Sequence, residues 1–199
     1  LIWPIRDVTG DVVGFGARRL FDDDRIEAKY LNTPETAIYK KSQVLYGVDL
    51  AKKEIARQRR LVVVEGYTDV MACHLSGVET AVATCGTAFA ADHIRVARRL
   101  LGDDAMGGQV IFTFDGDAAG RKAAWRALEN ALPVLADGKN ARFLFLPDGE
   151  DPDDFVRRRG KAAFEALIDR AMPASEFLLA ELCAQHPPTT AEGGAALVA

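Results

Sequence analysis

The sequence predicts an α/β fold with a mostly parallel central sheet flanked by helices. From residue 61 onward, short apolar runs rich in β-branched and aromatic residues alternate with amphipathic segments, as they do in parallel βαβ units. Gly77 and Gly138 follow two of the amphipathic segments, where glycine commonly ends a helix. With 199 residues, of which 49% are hydrophobic, the chain is long and apolar enough to bury a substantial core.

The elements can be assigned in order along the chain. The first twenty residues alternate around the turn signal Thr9-Gly10-Asp11 and predict a hairpin. Residues 22–36 are polar and contain Pro34, which predicts a long ordered loop, and residues 46–60 have a helical pattern. We then expect strands at 61–64, 80–83, 110–114 and 141–146, helices at 67–76, 90–101 and 118–137, and two further helices of a cap or helical subdomain beyond Pro152.

The net charge of −4 conceals an uneven distribution. Residues 1–60 contain 12 Lys and Arg against 9 Asp and Glu, whereas residues 61–199 contain 13 against 20. A basic first third joined to an acidic remainder suits a site that holds a polyanion on one side and cations on the other. Ordinary surface charge explains the same counts about equally well.

Several classes of protein do not fit the sequence. No run approaches the roughly 20 apolar residues of a membrane-spanning helix, and no secretory leader opens the chain, so we expect a cytosolic protein without a membrane partner. Cys73, Cys85 and Cys183 are far apart and lack the paired spacing of a zinc site. Because the chain begins without methionine inside an apolar stretch, we expect it to be a fragment.

Acidic residues follow three of the four predicted strands. In open α/β sheets the ligand crevice lies at the carboxyl ends of the strands, so these residues are the first candidates for chemistry. Glu65 follows the first strand and Asp69 lies four residues further, near the start of a helix. The third strand runs into Asp115 and Asp117, and the fourth into an acidic run that contains Asp148, Glu150, Asp151, Asp153 and Asp154.

The spacing of Asp115 and Asp117 favours a divalent cation. Residues two apart project to the same side of an extended backbone, and two like charges held that close repel unless a cation or proton intervenes. Mg²⁺ takes hard oxygen ligands and keeps several waters, which leaves room for phosphate oxygens. Asp-Gly-Asp alone is weak support, since Asp-Gly is also a common turn and helix-cap pair. Three separate acidic clusters at three strand ends are harder to attribute to turns.

Two motifs carry a resemblance to a known family. "VVVEGYTDVMA" (62–72) and "FTFDGDAAGRKA" (112–123) resemble the signature motifs of the toprim domain, which topoisomerases, DnaG-type primases and some nucleases share. The similarity then narrows. "WPIRDVTGDVVGFGARRL", "KYLNTPET", "VLYG", "VATCGTAFAADHI" and "FLPDGEDPDDFVRRRG" are similar to the catalytic RNA-polymerase domain of bacterial DnaG-type DNA primases, over essentially the whole chain.

The resemblance implies an organisation and a set of site residues. It implies a toprim fold at 61–150, preceded at 1–60 by the last part of a small, basic α+β subdomain and followed at 151–199 by an acidic loop and the start of a helical subdomain. Glu65 matches the toprim glutamate, and Asp69 the acid that follows it. The expected metal ligands are Glu65, Asp69, Asp115, Asp117, Asp151 and Asp153. The expected nucleotide and template contacts are Arg18, Lys29, Asn32 and Lys40 or Lys41, with Tyr30 either stacking on a base or packing in the core.

The implied reaction is nucleotidyl transfer. A 3′-hydroxyl attacks the α-phosphate of a ribonucleoside triphosphate on a single-stranded DNA template, with Mg²⁺ as cofactor and Mn²⁺ as a substitute. Glu65 is left open as a direct ligand, a ligand through water, or a proton acceptor. The resemblance further implies a monomer in the bacterial cytoplasm at the replication fork. Zinc and a replicative helicase would bind only to domains outside this chain.

Three other readings use the same acids. A toprim nuclease or topoisomerase fragment would cleave phosphodiesters, although none of Tyr30, Tyr39, Tyr46 or Tyr67 is an obvious nucleophile. A non-enzymatic DNA-binding scaffold would bind DNA without regard to Mg²⁺. A phosphoacceptor receiver domain would place a lysine after its last strand, where this sequence has "PDGEDPDD".

Overall fold

The chain begins with a small antiparallel sheet. The computed structural model describes residues 1–21, 27–102, 107–132, 140–147 and 149–189. Strands β1 (Ile2–Arg6), β2 (Val12–Arg18) and β3 (Tyr30–Asn32) form this sheet in the order β1-β2-β3, and we call it the small sheet. Strands β1 and β2 form the predicted hairpin, and the Asp7 carboxylate stabilises its turn by accepting backbone hydrogen bonds from Thr9, Gly10 and Asp11.

The prediction of a continuous loop at 22–36 was wrong for β3. Residues Tyr30–Asn32 pair with Arg18, Ala17 and Gly16 of β2 in antiparallel register. A three-residue edge strand is too short to produce a periodic apolar pattern, so the backbone hydrogen bonds to β2 determine its conformation. The strand places its side chains beside the larger sheet described next.

The larger sheet has six strands, in the order β4-β6-β5-β7-β8-β9. The four inner strands are parallel, and the short outer strands β4 and β9 are antiparallel to their neighbours. The elements in chain order are β4 (Leu45–Tyr46), α1 (Val48–Gln58), β5 (Arg60–Val64), α2 (Tyr67–Leu75), β6 (Ala81–Thr84), α3 (Ala91–Leu101), β7 (Gln109–Phe114), α4 (Ala118–Ala131), β8 (Asn140–Phe145), α5 (Pro152–Asp169), β9 (Met172–Pro173) and α6 (Ala174–Gln185).

The predicted α/β class and the four predicted inner strands are confirmed. The two outer strands were not predicted, because a strand of two residues is too short to show an alternating apolar and polar pattern. Helix α4 ends at Ala131, and the rest of the helix predicted to residue 137 lies outside the described residues.

Alternating side chains on the inner strands build two apolar layers. Leu61 and Val63 of β5 face a core shared with α1, α3, α4 and α6, whereas Val62 and Val64 face a core shared with α2 and α5. Burial on both faces explains why these strands read as continuous apolar runs. Among the described helices, none combines the length and apolar character needed to cross a bilayer.

A third apolar cluster joins the two sheets. Its buried members are Trp3, Ile5, Tyr39, Val44, Tyr67 and Cys85. Tyr67 follows β5 by three residues and Cys85 follows β6 directly. The small sheet therefore packs at the carboxyl ends of the parallel strands, where α/β folds bind ligands.

Candidate active site

Glu65 lies at the carboxyl end of β5, directly after the buried run Arg60–Val64. Its side chain is exposed at the rim of a pocket of about 390 Å³. Surrounding protein atoms and then the charges of Asp115 and Asp117 raise the pKa of Glu65, while a backbone hydrogen bond from Asp115 lowers it. The charge of Asp115, which follows β7, thus acts on Glu65, which follows the neighbouring strand β5.

The Asp-Gly-Asp segment follows β7 and turns into α4. Asp117 is the N-cap of α4, and its Oδ1 accepts a hydrogen bond of 2.7 Å from the Gly120 N–H. A Cβ at Gly120 would lie 2.1 Å from the Asp115 carbonyl oxygen, so only glycine permits this close approach. Asp117 therefore does serve as a cap, and unlike Asp115 it is not among the residues that line the pocket.

Asp115 is the central acid of the pocket. Burial, and then the charges of Asp151 and Asp117, raise its pKa. The charge of Asp151 reaches it from the segment that precedes α5, which is distant in sequence. Carboxylates from separate parts of the chain thus converge on one volume, as the spacing of the acidic clusters predicts.

Asp151 and Asp153 have different surroundings although they are two residues apart. Asp151 lines the pocket and is the N-cap of α5, with Oδ1 accepting a hydrogen bond of 2.7 Å from the Asp154 N–H. Asp153 instead forms an ion pair with Arg157 and is not among the residues that line the pocket. Because Arg157 occupies its carboxylate, Asp153 has less freedom to bind a cation than Asp151. Asp148 lies outside the described residues.

Asp69 is the most buried of the predicted acids, with 7% of its surface exposed. It lies in the first turn of α2, where Oδ2 accepts a hydrogen bond of 2.8 Å from the Gly66 N–H. Burial, and then the charges of Asp151 and Asp115, raise the pKa of Asp69 to about 7, against the effect of the hydrogen bond from Gly66. The group is therefore partly protonated near neutral pH unless a cation is present.

The pocket brings together some of the predicted acids and adds neutral residues. Its lining residues are Tyr30, Asn32, Glu65, Gly66, Tyr67, Thr68, Asp69, Thr84, Gly86, Asp115 and Asp151. Thr84 and Gly86 were not predicted. Thr84 ends β6 and Gly86 follows it by two residues, and this position at the same edge as Glu65 is the signal that could have found them.

The donor set fits a hard divalent cation in chemistry and in charge. Asp115, Asp151 and Glu65 supply carboxylate oxygens, and burial followed by repulsion from neighbouring carboxylates raises the pKa of Glu65 and of Asp115. In the described ranges, however, no three His, Cys, Asp or Glu side chains lie close enough together to hold a metal ion as they stand. Binding would thus require side-chain rotation toward the cation.

The small sheet contributes Tyr30 and Asn32 to the pocket, whereas Arg18 and Lys29 are not among its lining residues. Arg18 ends β2 and pairs in register with Tyr30, and its guanidinium lies 5.5 Å from the centre of the Tyr30 ring. Tyr30 is 46% exposed and lines the pocket, so it is not a core residue. Lys29 directly precedes it in the chain. The exposure of Tyr30 argues against core packing, and stacking of Tyr30 on a base stays a prediction.

Of the remaining predicted contacts, Asn32 lines the pocket, whereas Lys40 and Lys41 do not. The Lys41 N–H donates to Glu35 at 2.8 Å, and its carbonyl accepts from His93 Nε2 at 2.7 Å. The backbone of this segment is thereby fixed, and the choice between the two lysines as phosphate contacts stays a prediction.

The fold and the site define the class of protein. A family model for the toprim domain matches residues 59–145, and a model for the N-terminal domain of the DNA primase catalytic core matches residues 1–52. The first match covers the four parallel inner strands of the larger sheet, and the second covers the whole small sheet and β4. The chain therefore combines a toprim domain with the domain that precedes it in primases.

Known proteins narrow this class to one family. The chain is 58% identical to a DNA primase of Streptomyces coelicolor over 98% of its length. It superimposes on a DNA primase domain from Pseudomonas aeruginosa with a TM-score of 0.90 and 48% identity, and on a DnaG primase catalytic domain bound to ssDNA with 0.87 and 49%, in both cases over 98% of this chain. The chain belongs to the DnaG-type DNA primases and forms part of their catalytic core.

The match covers only part of each relative. The chain spans 30% of the length of the Streptomyces protein, 59% of the Pseudomonas structure and 60% of the ssDNA-bound structure.

Proposed function

We propose that the protein containing this chain synthesises short RNA primers on single-stranded DNA by nucleotidyl transfer from ribonucleoside triphosphates. The observation that carries the proposal is the pocket at the carboxyl edge of the larger sheet. Four carboxylates from three segments line it, together with Tyr30 and Asn32 of the small sheet, and Arg18 pairs with Tyr30. An acidic centre with a cationic side chain beside it suits a reaction between polyanions. The likeness to a primase domain bound to ssDNA supports the choice of template.

In this proposal the small sheet binds the template and the nucleotide, and the acids bind the cation or accept a proton. Arg18 and Lys29 neutralise phosphates of the template or the incoming nucleotide without reading its sequence. Tyr30 offers a ring on which a base stacks, worth about 1–3 kcal/mol per base. Glu65, whose raised pKa favours proton uptake, is positioned either to hold a cation or to accept the proton of the attacking hydroxyl.

Toprim-domain primases are metal-dependent, and we propose Mg²⁺, with Mn²⁺ as a substitute, for this chain. Asp115, Asp117 and Asp151 would hold the ion, with Glu65 as a further ligand and Asp69 and Asp153 as weaker candidates. An ion held by these residues would supply Lewis-acid activation of the attacking hydroxyl and neutralisation of charge on the departing pyrophosphate. The protein residues hold the reactants in place and supply fixed charge around them.

The organisation and partners follow from the same proposal. We propose that residues 1–60 complete a basic α+β subdomain, that 61–150 form the catalytic toprim subdomain, and that 151–199 begin a helical subdomain. The protein would act as a monomer in the bacterial cytoplasm at the replication fork. Zinc and the replicative helicase would bind to domains outside this chain.

The test combines metal binding with the direction of the reaction. Asp115→Ala together with Asp117→Ala should abolish Mn²⁺ binding in calorimetry and primer synthesis from labelled ribonucleotides on single-stranded template. Asp169→Asn, at the far end of α5 and exposed, is the matched control and should retain both. Metal binding that survives the double substitution would remove the central argument. Template cleavage in place of synthesis would favour the toprim nuclease reading.

A further inference from the structure

Asn32 connects the two sheets through its side-chain amide. Its Oδ1 accepts a hydrogen bond of 2.6 Å from the Tyr67 hydroxyl, at the first residue of α2. Its Nδ2 donates one of 3.1 Å to the Cys85 carbonyl, directly after β6. The last residue of β3 is thus tied to two different loops at the carboxyl edge of the larger sheet. We call Asn32, Tyr67 and Cys85 the joint.

The packing around the joint leaves little room for another arrangement. A Cβ at Gly86 would lie 2.5 Å from Asn32 Nδ2, and a Cβ at Gly16 would lie 2.6 Å from the Tyr67 ring. Gly86 also has a φ of +74°, which side-chain-bearing residues rarely adopt. The Tyr67 ring is buried and contacts Tyr46 and Trp3 at centroid distances of 4.5 and 5.7 Å. Both anchors of Asn32 are therefore fixed by their own surroundings.

The joint controls where β3 places its other side chains. Tyr30 and Asn32 are two apart on one strand, so both project to the same face, and both line the pocket. Lys29 precedes Tyr30, and Arg18 of β2 pairs with it. A change at Asn32 would shift Tyr30, Lys29 and Arg18 relative to the acids while leaving the acids in place.

We infer that Asn32 is a positioning residue, which holds the basic and aromatic side chains of the small sheet at a fixed distance from the acidic edge rather than contacting substrate itself. The inference rests on the proposed function for what the small sheet binds. Its physical content is that the Asn32 amide already has a partner at each end, both within the protein. The inference changes the role of Asn32, which the family resemblance places among the substrate contacts.

Removing only the Tyr67 hydroxyl distinguishes positioning from direct contact. Tyr67→Phe keeps the ring and its packing but removes the hydrogen bond to Asn32. If Asn32 acts through the joint, Tyr67→Phe and Asn32→Ala each weaken binding of a labelled single-stranded oligodeoxynucleotide by about 2- to 12-fold, the range of one net hydrogen bond. The double variant then binds no more weakly than the weaker single variant, because both break the same connection.

A second readout separates the joint from the acids, and all measurements use the full-length protein. Mn²⁺ affinity by calorimetry should stay within twofold of the unsubstituted protein in both single variants. The KM for ribonucleoside triphosphate should rise while kcat changes little. Ile168→Val, which trims a buried side chain at the far end of α5, supplies a comparable loss of stability and should leave the oligodeoxynucleotide affinity unchanged.

Two results would overturn the inference. In the first, Asn32→Ala weakens oligodeoxynucleotide binding and Tyr67→Phe does not, which makes Asn32 a direct contact. In the second, Ile168→Val weakens binding as much as the joint variants do, which makes the effect one of stability alone. Failure of the proposed function shows separately, because primer synthesis would then persist in Asp115→Ala whatever the joint variants do.

Discussion

The two halves of the pocket are built in different ways. On the acidic side, Glu65 and Asp115 follow buried five- and six-residue strands whose positions in the sheet are fixed by the pairing of Leu61 with Val110 and its neighbours. On the basic side, Tyr30 lies in a three-residue edge strand. That strand reaches the larger sheet through the side chain of Asn32, whereas Trp3 and Ile5 of β1 pack in the apolar cluster with Tyr67.

This difference separates two functions. The acids are rigidly placed by the core of the toprim domain, so changes to them should affect the chemical step. The small sheet is placed by a few contacts across the pocket, so changes to it should affect how tightly polyanions bind. The predictions below test this separation, beginning with the largest expected effect.

Asp115→Asn should produce the largest loss. The substitution removes a carboxylate at the centre of the pocket, and we expect kcat for primer synthesis to fall by at least about 100-fold with little change in oligodeoxynucleotide affinity. The free energy of unfolding should stay equal or rise, because burial and the charges of Asp151 and Asp117 raise the pKa of Asp115. Steady-state kinetics and urea unfolding measure both quantities. A variant that loses DNA affinity but keeps kcat would reverse the assignment of tasks.

Gly120→Ala should destabilise the acidic side by disturbing its backbone. Alanine normally favours a helix by about 1 kcal/mol over glycine, but here its Cβ would lie 2.1 Å from the Asp115 carbonyl oxygen. We expect a net loss of about 1–3 kcal/mol in the free energy of unfolding, together with weaker Mn²⁺ binding. Ala119→Ser, at the exposed neighbouring position, should change stability by less than about 0.5 kcal/mol. Equal effects of the two substitutions would contradict the close-packing argument.

The positions of the acids could be predicted from the sequence, because they depend on strands that are adjacent to those acids in the chain. Apolar runs predict where β5 and β7 end, and residues that directly follow parallel strands meet at one edge of the sheet. Glu65 and Asp115 were therefore placed together correctly, and the N-cap role of Asp117 was considered from its Asp-Gly pairing. The ion pair of Asp153 with Arg157 was not foreseen, although their spacing of four residues on a helix is a readable signal.

The position of β3 could not be predicted in this way, because it depends on contacts between residues that are far apart in the chain. Strand β3 is too short for a period, and the hydrogen bond between Asn32 and Tyr67 joins residues 35 positions apart. Nothing in a single sequence pairs an asparagine with a particular tyrosine hydroxyl. The family resemblance placed Asn32 at the site, but only the contacts at both ends of its amide indicate how it acts.

Two acids outside the inner strands, Asp69 in α2 and Asp7 in the hairpin turn, should change the stability of the protein with pH in opposite directions. Burial raises the pKa of Asp69 from its ordinary 3.8 to about 7. Between these values the folded, metal-free protein holds more protons than the unfolded chain, so the contribution of Asp69 to stability falls as pH rises from about 4 to 7. In the small sheet, the Thr9 hydroxyl holds the pKa of Asp7 below 3.8. Its contribution is present above that pH and is lost as pH falls through the lowered value.

Urea unfolding in EDTA, at several pH values from 3 to 8, measures this contrast. Asp69→Asn should flatten the decline between about pH 4 and 7 and stabilise the protein at the upper end. Asp7→Asn should leave that decline intact and lower stability at neutral pH by a smaller amount, because the side chain is half-exposed. An unchanged decline in Asp69→Asn would show that this carboxyl is ionised in the folded, metal-free protein.

Lys29→Gln should give the smallest effect and the most specific one. If Lys29 neutralises one phosphate, the slope of log affinity for single-stranded DNA against log salt should become shallower by about 0.7, and affinity at 0.1 M salt should fall only a few-fold. Because the acids are placed independently of β3, kcat and Mn²⁺ affinity should not change. Lys161→Gln on α5, also an exposed lysine, should leave the slope unaltered. Equal changes in the two slopes would mean that DNA responds to the net charge of the protein rather than to the small sheet. The assignment of phosphate binding to the small sheet would then be wrong.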